Sequence, residues 1–182
     1  MTRVLLFSLA LLSAAFGSVV TAGMTAAAQG PQRAGTEKQI DYVGFEALTQ
    51  DVHAYRAKRL VSLAQFQAMA REPKTIILDA RSAAAYAQGH IEGALNLSLT
   101  DFTAPALAAA ISDPNTRILI YCNNNFENNV APVVLKSAPL SLNIQTFINL
   151  YGYGYRNVYE LGDVVNFDDP KVRWVRSASG PL

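Results

Sequence analysis

Cys122 is the single cysteine of this 182-residue chain. It closes the apolar run Arg117-Ile-Leu-Ile-Tyr121 and opens the stretch Asn123-Asn124-Asn125-Phe126-Glu127-Asn128-Asn129. A thiol at the end of a buried strand, followed by a loop of small polar residues, is where an α/β protein would carry a nucleophile. The thiolate is the reactive form, and backbone N–H groups with a helix N-terminus stabilise it. A free cysteine is equally a small buried hydrophobe, so position and loop chemistry must decide between the two. Asp79 and Arg81 follow the run Thr75-Ile-Ile-Leu78 and invite a catalytic role, but an ion pair that braces the loop explains them more simply. His90 titrates near neutrality and suits a general base. In Gly89-His90-Ile91, however, it reads as a turn histidine bonded to backbone. His53 reads as a helix-surface residue. One cysteine and two scattered histidines offer no metal-ligand spacing, and no disulfide can form within the chain.

These residues need a scaffold, and the chain supplies one after an export-like start. Arg3 is a short positive region, Val4 to about Val20 is uncharged and apolar, and small-residue cleavage sites end at Ala22 and at Ala28. The Ala28 site is preferred, which implies export, to the periplasm in a bacterium, without stable membrane insertion once the signal is removed. Arg3 is the only charged residue of this segment, so beyond it basic and acidic residues are equal in number. That balance argues against a nucleic-acid partner or a polybasic membrane footprint.

Residues 29–39 read as a flexible leader, and 40–59 as an amphipathic helix with Phe45, Leu48, Val52 and Tyr55 at helical spacing. Leu60-Val61 is a short strand, and Ser62 caps a helix carrying Leu63, Phe66 and Met69. Thr75 to Leu78 is a continuous apolar run, as in a strand covered on both faces. A short helix passes Tyr86 and stops at Gly89, Ala94 to Leu97 is a strand, and Thr103 to Ile111 is helical. Ile118 to Tyr121 is the most buried-looking strand. A helix is expected to begin near Asn128 or Asn129 with Pro132 in its first turn. Another runs through Ile144, Phe147 and Leu150, and Asn157 to Leu161 is the last strand. Tyr151, Tyr153 and Tyr155, with Gly152 and Gly154, read as packing at a helix end. Strands alternating with helices predict an α/β fold, a central parallel sheet of about five strands flanked by helices on both faces. Ligands on such sheets bind at the carboxyl ends of strands, where Cys122 lies.

Three segments in order then resemble a rhodanese domain. Leu78-Asp79-Ala80-Arg81 with Tyr86 and Gly89-His90-Ile91-Glu92-Gly93-Ala94-Leu95-Asn96 is similar to its opening half. Ile118 to Cys122 is similar to its catalytic strand and nucleophile, and Gly154 to Gly162 to its closing strand. The resemblance runs from about Leu60 to Phe167 and places a rhodanese-like domain at 60–168, with a tail at 169–182. It implies a sulfurtransferase in which Cys122 carries a sulfane sulfur as a persulfide, with no cofactor. The sulfur would come from a small donor or a partner protein and pass to a thiol or cyanide-like acceptor. Asn123, Asn124, Asn125, Phe126, Glu127, Asn128 and Asn129 would line the substrate, with Asp79, Arg81 and His90 supporting the site.

The loop departs from the family. Rhodanese loops usually carry glycine and often arginine, and neither occurs between Asn123 and Asn129. Asparagine tolerates the left-handed backbone region, so the five asparagines can rebuild the cradle, but nothing replaces the arginine. Unless Glu127 points outward, its charge at about 6 Å costs roughly 3 kcal/mol at a dielectric near 20. A helix terminus returns about 0.3–2 kcal/mol. Thiosulfate is thereby disfavoured as donor. Related phosphatases and arsenate reductases use Cys-x5-Arg, and that position is Asn128 here, which disfavours oxyanion transfer. Asp163 and Phe167 replace a common glycine and tryptophan. The alternative to sulfur transfer is a rhodanese-like module that binds a ligand or protein without turnover.

Overall fold

The computed structural model describes residues 39–176. The signal segment with both cleavage sites, nearly all of the leader, and residues 177–182 of the tail lie outside the described residues. Five short apolar runs become the parallel strands of one sheet: β1 (Leu60–Val61), β2 (Thr75–Asp79), β4 (Ala94–Asn96), β5 (Arg117–Tyr121) and β6 (Val158–Leu161). Their order is β1-β6-β5-β2-β4. The two most continuously apolar runs, β2 and β5, therefore lie inside the sheet, as expected of strands covered on both faces. The helices are α1 (Tyr42–Arg56), α2 (Leu63–Ala70), α3 (Ala83–Gln88), α4 (Ala104–Ala110) and α5 (Leu142–Gly152).

Strand alternation sorts the core into two layers. Leu78, Ile118, Ile120 and Val158 face Val52 of α1, Leu107 of α4, and Phe147, Ile148 and Leu150 of α5. Ile77, Leu119, Tyr121 and Leu161 face the other side, against Phe66 of α2. Burying each such side chain is worth about 1.5–3 kcal/mol. Helix starts follow local chemistry. Ser62 and Gln65 form a capping box, and Ser82 and Thr103 cap α3 and α4. Asp163 Oδ2 also accepts the Leu63 N–H at 2.7 Å, so the residue in the usual glycine position holds the start of α2.

Two expectations need correction. No helix begins near Asn128 or Asn129; after Cys122 the next α-helix starts at Leu142. Local side-chain bonds win over helix formation. Asn129 sits at φ 46°, its Oδ1 accepts the Leu135 N–H, and Asn123 and Asn124 bind backbone at Val134 and Lys136. The tail boundary also moves. Strand β7 (Trp174–Val175) pairs antiparallel with β3 (His90–Ile91), so residues 169–176 belong to the domain. The Trp174 indole stacks with Phe167 at 5.4 Å and meets Phe126 edge-on at 5.0 Å. It fills the space beside Gly89, where an added Cβ would lie 2.4 Å from Trp174 Nε1. At the far end of α5, Tyr155 is buried in the core and Tyr151 packs edge-on against Tyr55. Tyr153 donates to the Phe102 carbonyl. Gly154, at φ 96°, makes the turn there.

Candidate active site

Strand β5 delivers Cys122 to the carboxyl end of the sheet interior. Cys122 itself is extended (φ −146°, ψ −176°), and the chain then folds into one 3-10 turn over Asn123–Asn125. The thiol is 1% exposed. Burial pushes it above its ordinary value, and a buried carboxylate, Glu160, adds to the rise. The backbone N–H groups of Asn143, Asn124 and Leu142 pull the other way and oppose the rise. Two of those three belong to the first turn of α5, whose cap Ser141 makes no side-chain bond to it. The orphan N–H groups of a helix start, with their positive dipole end, favour a thiolate. They come from a helix twenty residues further along the chain, and the loop itself starts none.

A thiol whose folded value is raised is lost earlier by the unfolded chain than by the native one. Stability is therefore full below the unfolded value of about 8.5 and falls as pH rises past it toward the folded value. Tyr121 is raised for the same first reason, burial, and then by Asp79; it extends the loss above about pH 10. Denaturant midpoints followed from pH 7 to 10 are expected to decline, and Cys122→Ala is expected to flatten the part between pH 8.5 and 10. An equal decline in that variant would remove the thiol as its source.

The loop residues divide by what their side chains reach. Asn125 is buried. Its Oδ1 accepts the Cys122 N–H at 2.9 Å and Asn143 Nδ2 at 3.0 Å, and its Nδ2 donates to the carbonyls of Leu161 and Asp163 at 2.8 and 3.1 Å. Asn123 Nδ2 donates to the Val134 carbonyl. Asn124 makes a two-way bond with the Lys136 backbone, donating to its carbonyl and accepting its N–H. Asn128 Oδ1 accepts the Phe167 N–H, and its Nδ2 donates to Asn166. Phe126 turns away into the core, edge-on to Tyr121. The main chain around it pairs with Val165, which donates to the Asn125 carbonyl and accepts the Glu127 N–H. Glu127 points outward, is exposed and accepts from Asn166. The acidic group that acts on the sulfur is Glu160.

Asp79 and Arg81 form a buried forked pair, Arg81 Nη2 to Asp79 Oδ2 at 2.5 Å. Tyr121 donates to Asp79 at 2.6 Å and accepts the Ile91 N–H, so this cluster ties β2, β5 and β3 together. His90 stacks on Tyr86 at 3.8 Å, with Nδ1 2.9 Å from the Tyr86 carbonyl oxygen. Sequence reasoning missed Glu160, Asn143 and Arg56. The available signal was Glu160 itself, a charge inside the apolar run Val158–Leu161.

The rhodanese-like domain family model matches residues 62–163, more than half of the chain. The chain belongs to the rhodanese-like domain family. No curated protein sequence matches it. Among solved structures, thiosulfate sulfurtransferase from Pseudomonas aeruginosa is 19% identical over 77% of this chain, with a TM-score of 0.48; the match spans 25% of that enzyme. The rhodanese-like domain of an Anabaena protein is 21% identical over 57% of this chain and 67% of its own, with a TM-score of 0.40. A rhodanese with anions from E. coli is 22% identical over 56% and 98%, with a TM-score of 0.38. At these identities the likeness concerns the fold alone. In this rhodanese-like domain the matched segment runs from Ser62, the cap of α2, to Asp163, its second anchor. It contains Cys122, Asn143 and Glu160, whereas Arg56 and Trp174 fall outside it.

Proposed function

We propose that this rhodanese-like domain is an exported sulfurtransferase that carries sulfane sulfur on Cys122, taking it from a thiol persulfide in preference to thiosulfate. The observation that carries the reading is the place of Cys122, at the end of β5 and tied through Asn125 to Asn143 in the uncapped first turn of α5. The free N–H groups of a helix start stabilise a thiolate or a terminal persulfide anion without a metal. Asn143 Oδ1 and Thr146 Oγ1, both on α5, are buried without a hydrogen-bond partner among the described residues, and so could meet a polar guest.

In the reaction, the Cys122 thiolate attacks the outer sulfur of R–S–SH. The new S–S bond forms as the old one breaks, and the donor leaves as its thiolate. The acceptor thiolate then attacks the terminal sulfur of Cys122–S–SH and restores the Cys122 thiolate. Each step is an exchange of sulfur with no net redox change. Thiosulfate is a dianion and needs a countercharge, and the segment 123–129 has no cation. Residues 1–28 direct export in this reading, with cleavage after Ala28.

Burial of the thiol favours the second reading, a module of the same fold that binds without turnover. One experiment decides between them. The purified protein is incubated with a cysteine persulfide and, separately, with thiosulfate, and its intact mass is recorded. One added sulfur with the persulfide, lost again on adding a thiol and absent in Cys122→Ser, is the expected result. No adduct with either donor establishes the silent module.

A further inference from the structure

We propose that Arg56, on the helix ahead of the family segment, is a positioning residue for Cys122: it keeps Glu160 paired and Asn143 aimed, so that the sulfur meets N–H groups in place of a free carboxylate. Glu160 lies on β6, register partner of Ile120 on β5, two residues before the cysteine. It is 5% exposed. Its carboxylate accepts Arg56 Nε at 2.5 Å, Arg56 Nη2 at 2.6 Å and Asn143 Nδ2 at 3.3 Å. Asn143 Nδ2 also reaches Asn125 Oδ1, the atom that accepts the Cys122 N–H. One continuous chain of side-chain bonds thus runs from α1 to the nucleophile.

No other charge takes over this role. Strand β5 carries only Arg117, at its far end and paired with Glu72, and α5 carries no charged residue. Asp79 and Arg81 pair in the opposite layer with Tyr121. Arg59 stacks over Tyr55 and Tyr159. Glu127 faces Asn166, and Asp163 holds the start of α2. Lys136 is exposed and meets the loop through its backbone. Remove Arg56, and a buried carboxylate beside the site loses the one cation paired with it among the described residues. A forked guanidinium is the group that satisfies both carboxylate oxygens at once.

The inference rests on Cys122 as the reacting thiol of the proposed function, but not on turnover. Its test is the pH profile of Cys122 alkylation by iodoacetamide in the full chain, with folding checked by circular dichroism. Arg56→Met is expected to move the midpoint up by about one pH unit, about a tenfold loss of thiolate at pH 7. Arg56→Lys recovers part of the shift. Glu160→Gln moves the midpoint down, and Arg56→Met added to Glu160→Gln no longer moves it up. A folded Arg56→Met protein with an unchanged profile overturns the inference, as does an upward shift in Glu160→Gln. If Arg56→Met does not fold, Glu160→Gln and Arg56→Lys decide it by the same signs. Absence of a persulfide adduct on the wild-type protein, with this pattern intact, would instead overturn only the sulfur-transfer reading.

Discussion

Asn125→Ala is expected to destabilise the domain by about 3–5 kcal/mol, the largest effect of any single loop substitution. The reason is geometric. One amide makes four hydrogen bonds, accepting from Cys122 N and Asn143 Nδ2 and donating to the Leu161 and Asp163 carbonyls. Alanine leaves those four partners short, several of them buried, and each buried unsatisfied group costs about 1–3 kcal/mol. Partial hydration of the vacated space recovers some of this, since Asp163 is exposed. A domain of this size has about 5–15 kcal/mol in all, so the loss is visible as a lower urea midpoint at unchanged slope. Asn125→Asp separates donor from acceptor roles. It keeps the acceptor for Cys122 N–H but sets a carboxylate oxygen against two carbonyls, and it adds a second negative charge near the sulfur. It is expected to be as unstable as alanine at neutral pH and to regain stability on acidification, when the carboxyl can donate again. A cost below about 1 kcal/mol for Asn125→Ala would mean that water serves these groups equally well.

What could be read from the sequence was whatever repeats locally. Ile76–Leu78 and Ile118–Ile120 are apolar at every position, so they announce strands covered on both faces. Ser62 and Gln65 announce the start of α2. The motifs around Asp79, Gly89–Asn96 and Cys122 named the family, and a strand end with a polar loop after it was enough to single out the thiol. The missing parts are all pairings between distant segments. Asn123, Asn124 and Asn129 are loop residues from sequence, but their partners at Val134, Lys136 and Leu135 lie 6 to 12 positions on, beyond the reach of any periodicity. Asn143 joins Cys122 through Asn125 only because α5 begins beside the end of β5. Glu160 matters because β6 lies next to β5, and Trp174 because β7 returns to β3. Pro132 was compatible with a helix start. The asparagine side chains, by taking backbone partners, decided against one.

Those same amide bonds carry the last large effect. The thiol is closed from solvent, and the chain from Val134 to Lys136 is fastened to its loop by Asn123, Asn124 and Asn129. A reagent must therefore wait for an opening, and the opening free energy sets how often it can react. The double substitution Asn123→Ala with Asn124→Ala removes three of these bonds. At about 0.5–1 kcal/mol each in a partly exposed setting, opening becomes easier by about 1.5–3 kcal/mol. Alkylation of Cys122 at fixed pH is then expected to accelerate about 10- to 100-fold, with the midpoint of the pH profile little changed, because Leu142, Asn143 and Glu160 stay in place. That separation between rate and midpoint distinguishes the fastening from the charge network behind the sulfur: loop substitutions change access, and Arg56 or Glu160 substitutions change ionisation. The exposed apolar residues Val130, Val134, Leu135 and Leu140 ride on the fastened segment, so opening it does not require pulling a packed core apart, and only Val133 is drawn from the buried layer. An unaccelerated double variant would put the barrier at the first turn of α5, and Leu142→Ala would then be the substitution that speeds the reaction.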